Sequence, residues 1–267
     1  MIMPVGAPNF CEALRMAAET YQALAGILKE NYGSSAKNVG DEGGYAPNLE
    51  TTSEALECLM KAIEVVGYTK EISLAIDPAA SSFYDSSTKR YFLDRRSLTA
   101  PELVDFWADI AGEYPIVSIE DPFNEEDFES FATLTQRIGS RVQVVGDDIF
   151  VTNVRRIKRG IEKRAANSVL IKLNQVGTIT ETIDAIDLAR KNSWTTVVSH
   201  RSGETEDTTI ADFTVGFGLR QIKTGAPARS ERTSKYNRLL RIEEELGQKA
   251  KYAGRDFPYA KDTTKRL

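Results

Sequence analysis

The segment Ile116-Val117-Ser118-Ile119-Glu120 is short, almost continuously apolar and rich in β-branched residues, and it ends in a carboxylate. A run of this length and composition is typical of a buried strand in a parallel sheet. Five further runs have the same form, and each ends in a charged residue or a histidine: residues 73–77, 142–147, 168–172, 195–200 and 220–223. The chain therefore contains a repeated strand with a polar group at its end.

Amphipathic helical patterns separate these strands. The clearest is 99–114, where Thr99 and Glu102 form a capping box, Pro101 suits the first turn, and apolar residues recur at helical spacing. Similar patterns are found at 153–165, 178–191 and 233–246, and two longer ones at 10–30 and 51–66 precede the first clear strand. Strands that alternate with helices predict an α/β fold with a parallel sheet.

The strand-end residues at positions 120, 147, 172, 200 and 223 are evenly spaced, which favours a TIM-type (β/α) barrel. The rival is an open doubly wound sheet, which usually carries a glycine-rich phosphate turn that we do not find. Residues 1–5 could form a seventh strand, whereas a closed barrel has eight. We therefore expect one barrel domain over 1–267, incomplete at its N-terminal side.

Bulk composition excludes several classes of function. The formal net charge is -5 and basic residues are dispersed, which gives no reason to expect nucleic acid or an anionic membrane as a partner. No stretch approaches the roughly 20 apolar residues of a membrane span. The single histidine excludes a multi-histidine zinc site, and the two cysteines favour a reducing compartment over a disulfide scaffold.

Three consecutive strands end in carboxylates: Asp77, Glu120 and Asp147. Because parallel strands end at one edge of a sheet, these groups can converge, and their mutual repulsion would be relieved by a hard divalent cation such as Mg²⁺. The alternative is that each carboxylate caps a helix or pairs with a surface lysine. The sequence favours the magnesium site.

The other strand ends carry cationic or polar groups. Lys172 interrupts an apolar run, so it is either a usable base or one partner of a structural salt bridge to Asp147 or Glu120. His200 begins a segment with an arginine and small polar residues, which suits an anion pocket, although a lone histidine can equally be structural. The loop Gly40-Asp41-Glu42-Gly43-Gly44 can present Glu42 on a tight turn or be a plain acidic turn.

Together these segments resemble enolase, phosphopyruvate hydratase, over nearly the whole chain. The matching motifs are Lys37-Asn38-Val39-Gly40-Asp41-Glu42-Gly43-Gly44, Ser118-Ile119-Glu120-Asp121-Pro122-Phe123, Val145-Gly146-Asp147-Asp148, Leu170-Ile171-Lys172-Leu173-Asn174-Gln175-Val176-Gly177-Thr178, Val198-Ser199-His200-Arg201-Ser202-Gly203-Glu204-Thr205-Glu206-Asp207, and Gln221-Ile222-Lys223-Thr224-Gly225-Ala226-Pro227-Ala228-Arg229-Ser230-Glu231-Arg232. Long motifs in a fixed order are highly specific.

The resemblance implies a carbon–oxygen lyase of glycolysis and gluconeogenesis that converts 2-phosphoglycerate and phosphoenolpyruvate reversibly. It implies that Lys172 removes the carbon-bound proton and that Glu42 helps the hydroxide leave. It further implies the roles of two groups of residues. The magnesium ligands are Asp77, Glu120 and Asp147, of which Glu120 and Asp147 also adjoin the substrate, and the remaining substrate contacts are His200, Arg201, Ser202 and Lys223.

Enolases carry a smaller N-terminal domain and one more barrel strand before the position that aligns with Met1. The resemblance therefore leads us to expect low activity from this chain and an edge prone to association. It also implies a homodimer weakened at Arg241, whose acidic partner in the family lies in that smaller domain. The family is cytoplasmic, with the cell surface or secretion as a secondary location.

Two other functions remain open. The chain could be another member of the superfamily, such as an acid-sugar dehydratase, although the segments at His200 and Lys223 suit a phosphorylated substrate better. It could also be a non-catalytic fragment or a surface-binding protein. A C-terminal lysine would favour surface binding, but the chain ends Lys265-Arg266-Leu267.

Overall fold

The computed structural model describes residues 1–260, so the C-terminal ending weighed above lies outside the described residues. These residues form two compact units. One comprises Leu74–Val197 together with Met1, and the other comprises Ile2–Ser73 and Val198–Ala260. Strands alternate with helices through most of the chain, which confirms the predicted α/β class.

The first unit is built on parallel strands. They are β2 (Ser73–Ile76, entering from the other unit), β6 (Ile116–Glu120), β7 (Gln143–Gly146), β8 (Ser168–Ile171) and the beginning of β9 (Thr195–Ser199). β2 pairs with β6, β6 with β7, and β7 with β8, all in parallel. The carboxyl ends of these four strands therefore lie along one edge.

Five helices belong to this unit: α3 (Ala100–Glu113), α4 (Phe128–Ile138), α5 (Val154–Lys163), α6 (Leu173–Val176) and α7 (Ile179–Lys191). The predicted capping box of α3 is present, with Thr99 and Glu102 each accepting a backbone N–H of the other. α4 and α6 were not predicted. Also unpredicted is an antiparallel sheet of β3 (Tyr84–Asp85), β4 (Arg90–Leu93) and β5 (Arg96–Leu98).

The core of the first unit includes a buried polar network centred on the first residue of β7. There Gln143 is completely buried, and its side chain accepts from Ser118 at 2.8 Å and donates to Ser168 at 3.0 Å and Thr195 at 2.8 Å. Buried polar groups are tolerated when hydrogen bonds satisfy them. The network explains how this sheet carries serines and a glutamine in otherwise apolar strands.

The second unit contains most of the remaining elements. They are β1 (Ile2–Met3), α1 (Phe10–Tyr32), α2 (Thr52–Val65), the end of β9, α8 (Thr209–Gly216), β10 (Ile222–Lys223) and α9 (Ser230–Leu246). β10 pairs in parallel with the end of β9. β1 occupies part of the segment predicted as a seventh strand. Among residues 1–260, no helix has both the length and the apolar character that crossing a membrane requires.

Candidate active site

All six predicted strand-end residues lie at the last position of a strand or directly after it. In the first unit these are Asp77, Glu120, Asp147 and Lys172, at the ends of four neighbouring parallel strands. In the second unit they are His200 and Lys223, at the ends of β9 and β10. The sequence therefore predicted correctly that these six residues stand at strand ends.

Lys172 and Asp147 form an ion pair in the first unit. The ammonium Nζ donates to Oδ2 of the carboxylate at 2.5 Å, and Gln175 donates to Oδ1 at 3.1 Å. The side chains of Lys172 and Asp147 are only 14% and 10% exposed. A buried pair of this kind is held by mutual compensation, since either charge alone would be costly.

Asp121 holds the backbone next to this ion pair, and the sequence analysis assigned it no role. Its two carboxylate oxygens accept the backbone N–H groups of Asp147 at 2.9 Å and Asp148 at 2.7 Å. Its backbone has a positive φ of 44°. Burial raises the pKa of Asp121 to about 8. The residue thereby fixes the turn that presents Asp147.

Three acidic residues of this unit cluster, and one of them is a predicted metal ligand. Carboxylate oxygens of Asp121, Asp147 and Asp148 lie within 4.8 Å of one another, so the cluster shares only Asp147 with the predicted ligands. Asp77 is exposed and accepts the backbone N–H of Ala79 at 3.1 Å, whereas Glu120 is buried. Burial raises the pKa of Asp148, and the nearby carboxylates of Asp147 and Asp77 act in the same direction.

This concentration of carboxylates fits a cation. Like charges held close together in a partly buried setting repel one another, and a bound cation relieves that repulsion. Carboxylate oxygens are hard donors, the type that Mg²⁺ and Ca²⁺ prefer. The cluster could therefore hold a metal ion.

The second unit presents Glu42 on a tight turn, as one of the two sequence interpretations expected. The backbone of Gly40 pairs with Gly44, and Gly43 has a φ of 79°. A side chain at Gly43 would also come within 2.7 Å of the carbonyl of Ala228, so glycine is needed there on both counts. The backbone carbonyl of Glu42 accepts from Ala226 at 2.9 Å, which anchors the turn.

The carboxylate of Glu42 faces His200 and Ser202. His200 Nε2 lies 3.2 Å from Oε2, and the Ser202 hydroxyl donates to Oε1 at 3.0 Å. The imidazole of His200 makes the largest contribution to lowering the pKa of Glu42 to about 2, and Ser202 and the charge of Lys223 contribute in the same direction. Glu42 is therefore a carboxylate at neutral pH in this substrate-free structure.

The remaining predicted residues are more exposed to solvent. Arg201 and Ser202 are exposed, and Lys223 is half-buried, with its backbone carbonyl accepting the N–H of His200 at 3.0 Å. His200 itself is buried. The second unit thus brings Glu42, His200 and Ser202 into direct contact, with Arg201 adjacent in sequence and Lys223 on the neighbouring strand.

Two buried cations in the second unit were missed by the sequence analysis. Arg232 and Lys235 lie on α9 and are each 1% exposed. They share the buried face of the helix with Leu239 and Ile242. Leu239 and Ile242 mark the apolar face of this helix. Continuing their helical spacing toward the N-terminus leads to Lys235 and Arg232, which predicts that both cations are buried.

Comparison with known proteins completes the description. The family described as "Enolase, C-terminal TIM barrel domain" matches residues 1–261. Proteins named enolase from Methanocaldococcus jannaschii and Methanococcoides burtonii are 55% and 58% identical over 257 and 253 residues. These alignments cover 96% and 94% of this chain and 60% and 59% of the relatives, so the chain spans about three-fifths of their length. An enolase from Methanococcus maripaludis, strain S2, is 55% identical with the same 96% and 60% coverage. The expected TIM-type barrel class is confirmed by this match, and the chain belongs to the enolase family.

Proposed function

We propose that this chain carries the catalytic residues of an enolase, which removes water from 2-phosphoglycerate to give phosphoenolpyruvate and catalyses the reverse addition. The observation that carries the proposal is the buried pair of Lys172 and Asp147 at the carboxyl edge of four parallel strands. An ammonium in this position is placed to exchange a proton with a substrate above the strand ends, where barrel enzymes do their chemistry.

Lys172 is the proposed base. A hydrogen next to a carboxylate is weakly acidic, because its removal puts a further negative charge on the substrate. Lys172 accepts that proton in its neutral form, and in the substrate-free structure its side chain is paired with the carboxylate of Asp147. Binding of a cation by Asp147 would weaken the pairing, since the carboxylate would then share its charge with the metal.

The proposed cofactor is Mg²⁺, held by Asp77, Glu120 and Asp147. Support comes from the clustered carboxylates around Asp147, and from the pKa of Asp148, which burial raises first and the neighbouring carboxylates raise further. When bound, the cation supplies positive charge that offsets the charge developing on the substrate carboxylate. Asp121 would keep Asp147 oriented through its two backbone hydrogen bonds.

Glu42 is the proposed acid for the departing hydroxide. Its low pKa in the substrate-free structure means that it must gain a proton before it can act. A substrate phosphate near Arg201 and Ser202 would place negative charge beside Glu42 and raise its pKa, which favours the protonated form. His200 and Lys223 would contact the substrate on the same side.

Steady-state formation of phosphoenolpyruvate, followed by its ultraviolet absorbance, tests the proposal. We expect slow turnover that requires Mg²⁺ and is lost in Lys172→Ala. The matched control is Lys158→Ala, which removes an exposed lysine from α5. Turnover of acid sugars in preference to 2-phosphoglycerate, or turnover that Lys172→Ala leaves intact, would refute the assignment, and turnover as fast as that of a whole enolase would refute the expectation of low activity.

We also propose the family's homodimer and a cytoplasmic location. Arg241 is exposed on α9, and Cys11 and Cys58 are free thiols, which suits a reducing compartment. Light scattering of the purified chain over a range of concentrations tests the dimer: a dimer that dissociates on dilution supports it, and a monomer at all concentrations contradicts it.

A further inference from the structure

Arg232 places a full positive charge in the core of the second unit. It is the third residue of α9 and is 1% exposed. A buried guanidinium costs free energy unless its N–H groups find acceptors. The hydrogen bonds of Arg232 therefore identify the segments that it stabilises.

The guanidinium joins two segments of the candidate site. Nη1 donates to the carbonyl of Arg201 and contacts Nδ1 of His200, both at 2.6 Å. Nη2 donates to the carbonyls of Asp41 at 2.9 Å and Ser202 at 2.6 Å. Arg232 thus links the residue before Glu42 to the segment that begins at His200.

The contact with His200 fixes where the imidazole proton resides. A guanidinium has donors only, so Nδ1 of His200 must accept through its lone pair and cannot carry a proton. The proton of the neutral ring is then on Nε2. That nitrogen is buried, makes no hydrogen bond among the described residues, and lies 3.2 Å from Oε2 of Glu42.

We propose that Arg232 is a positioning residue that holds His200 as the Nε2–H tautomer facing Glu42. Its link to catalysis rests on the proposed function, because it matters for turnover only if Glu42 and His200 act on the substrate. Its effect on the ring does not depend on that function. The opposite tautomer would set an N–H of the ring against an N–H of the guanidinium.

Lys235 provides a matched comparison on the same helix. Its ammonium is also 1% exposed, lies 3.6 Å from Glu204 and donates to the carbonyls of Thr205 and Glu231. It therefore anchors the loop that follows His200 without touching the ring. A substitution at Lys235 disturbs the same region but leaves the proposed tautomer control in place.

The chain has one histidine, so a protein labelled with ¹⁵N-histidine gives a single imidazole spectrum. We expect two-bond ¹H–¹⁵N correlations of the unmodified 267-residue chain to show an unprotonated Nδ1 and a protonated Nε2, widely separated in shift. In Arg232→Met, which removes the donor, the two shifts should move toward each other as the tautomers exchange. In Lys235→Met they should stay apart.

A protonated Nδ1 in the unmodified protein would overturn the proposal, and this result needs no variant to fold. So would a spectrum that Arg232→Met leaves unchanged, or one that Lys235→Met alters as strongly as Arg232→Met does. The measurement uses no substrate and no cation. A chain without dehydratase activity but with the expected spectrum would therefore contradict the proposed function and leave the tautomer assignment standing.

Discussion

The ammonium of Lys172 donates to the carboxylate of Asp147 at 2.5 Å, and both side chains are largely buried. The two residues follow neighbouring parallel strands, so the sheet itself brings them together. Breaking a buried pair by removing one partner costs more than the pair contributes, because the remaining charge is left uncompensated. This relationship connects the stability of the fold to the proposed metal site.

Lys172→Met should destabilise the protein by about 3 kcal/mol in the presence of a chelator, as expected for an unpaired buried charge. Mg²⁺ should reduce that loss, because a cation at Asp147 would take over the role of the ammonium. Urea unfolding with and without Mg²⁺ measures both values. A loss that Mg²⁺ leaves unchanged would count against Asp147 as a ligand, and Lys158→Met, on the exposed face of α5, should change stability by less than about 0.5 kcal/mol.

Above about pH 8, where Asp121 is ionised, Asp121→Asn should cost about 2 kcal/mol, since an amide can accept only one of the two backbone N–H groups and leaves the other unsatisfied. We also expect weaker Mg²⁺ binding by calorimetric titration, because the turn that carries Asp147 loses its support. Asp109→Asn, an exposed change on α3, is the control and should alter neither property. Unchanged Mg²⁺ affinity in Asp121→Asn would refute the positioning role.

Glu42→Gln should make the protein less stable at neutral pH by under about 1 kcal/mol, since the Glu42 side chain is 42% exposed and solvent screens its contacts. The pKa of Glu42 is lowered to about 2, so its contribution is complete above the unfolded-state pKa near 4.5. It is lost as the pH falls from there toward 2. The difference in the free energy of unfolding between the unmodified protein and Glu42→Gln should therefore become smaller as the pH is lowered.

Urea unfolding at pH 6 and pH 3.5 measures this pH-dependent difference in stability between the unmodified protein and Glu42→Gln. Glu57→Gln, which removes an exposed carboxylate on α2, is the control and should have nearly the same free energy of unfolding as the unmodified protein at both pH values. A stability difference between the unmodified protein and Glu42→Gln that is larger at pH 3.5 than at pH 6 would contradict the lowered pKa of Glu42.

Gly146→Ala should destabilise the protein by about 2 kcal/mol through overpacking. The added methyl group would come within 2.3 Å of the Phe150 ring, which also packs against Gly160. Because Gly146 directly precedes Asp147, the same change should weaken Mg²⁺ binding. Gly112→Ala on α3 meets no atom within 4 Å and should be neutral or slightly stabilising in thermal unfolding. Equal effects of the two substitutions would refute the packing argument.

The strands and their terminal residues could be predicted because β-branched runs report burial directly and each run ends in a polar residue. Thr99 likewise marks its helix through a capping box that depends only on nearby sequence. The antiparallel strands β3 to β5 were missed, since two to four residues each are too few to show a period. α4 was missed as well, although its buried Phe128, Phe131, Leu134 and Ile138 follow a helical spacing.

The strand-end positions of the candidate residues could be predicted, whereas several of their side-chain contacts could not. Asp121 and Arg232 stood inside recognised motifs, but their partners are backbone groups distant in sequence, which no local pattern specifies. The predicted grouping of Asp77 and Glu120 with Asp147 stays a prediction. In the described residues the carboxylate oxygens of Asp147, Asp121 and Asp148 lie within 4.8 Å of one another.

The central claim is that Lys172 exchanges a proton with the substrate carbon. Exchange of the C2 hydrogen of 2-phosphoglycerate for deuterium, followed by proton NMR in D₂O, tests it without requiring complete turnover. We predict exchange that depends on Mg²⁺, disappears in Lys172→Ala and persists in Lys158→Ala. Exchange at the same rate in Lys172→Ala, or none in the unmodified chain with Mg²⁺ present, would contradict the account.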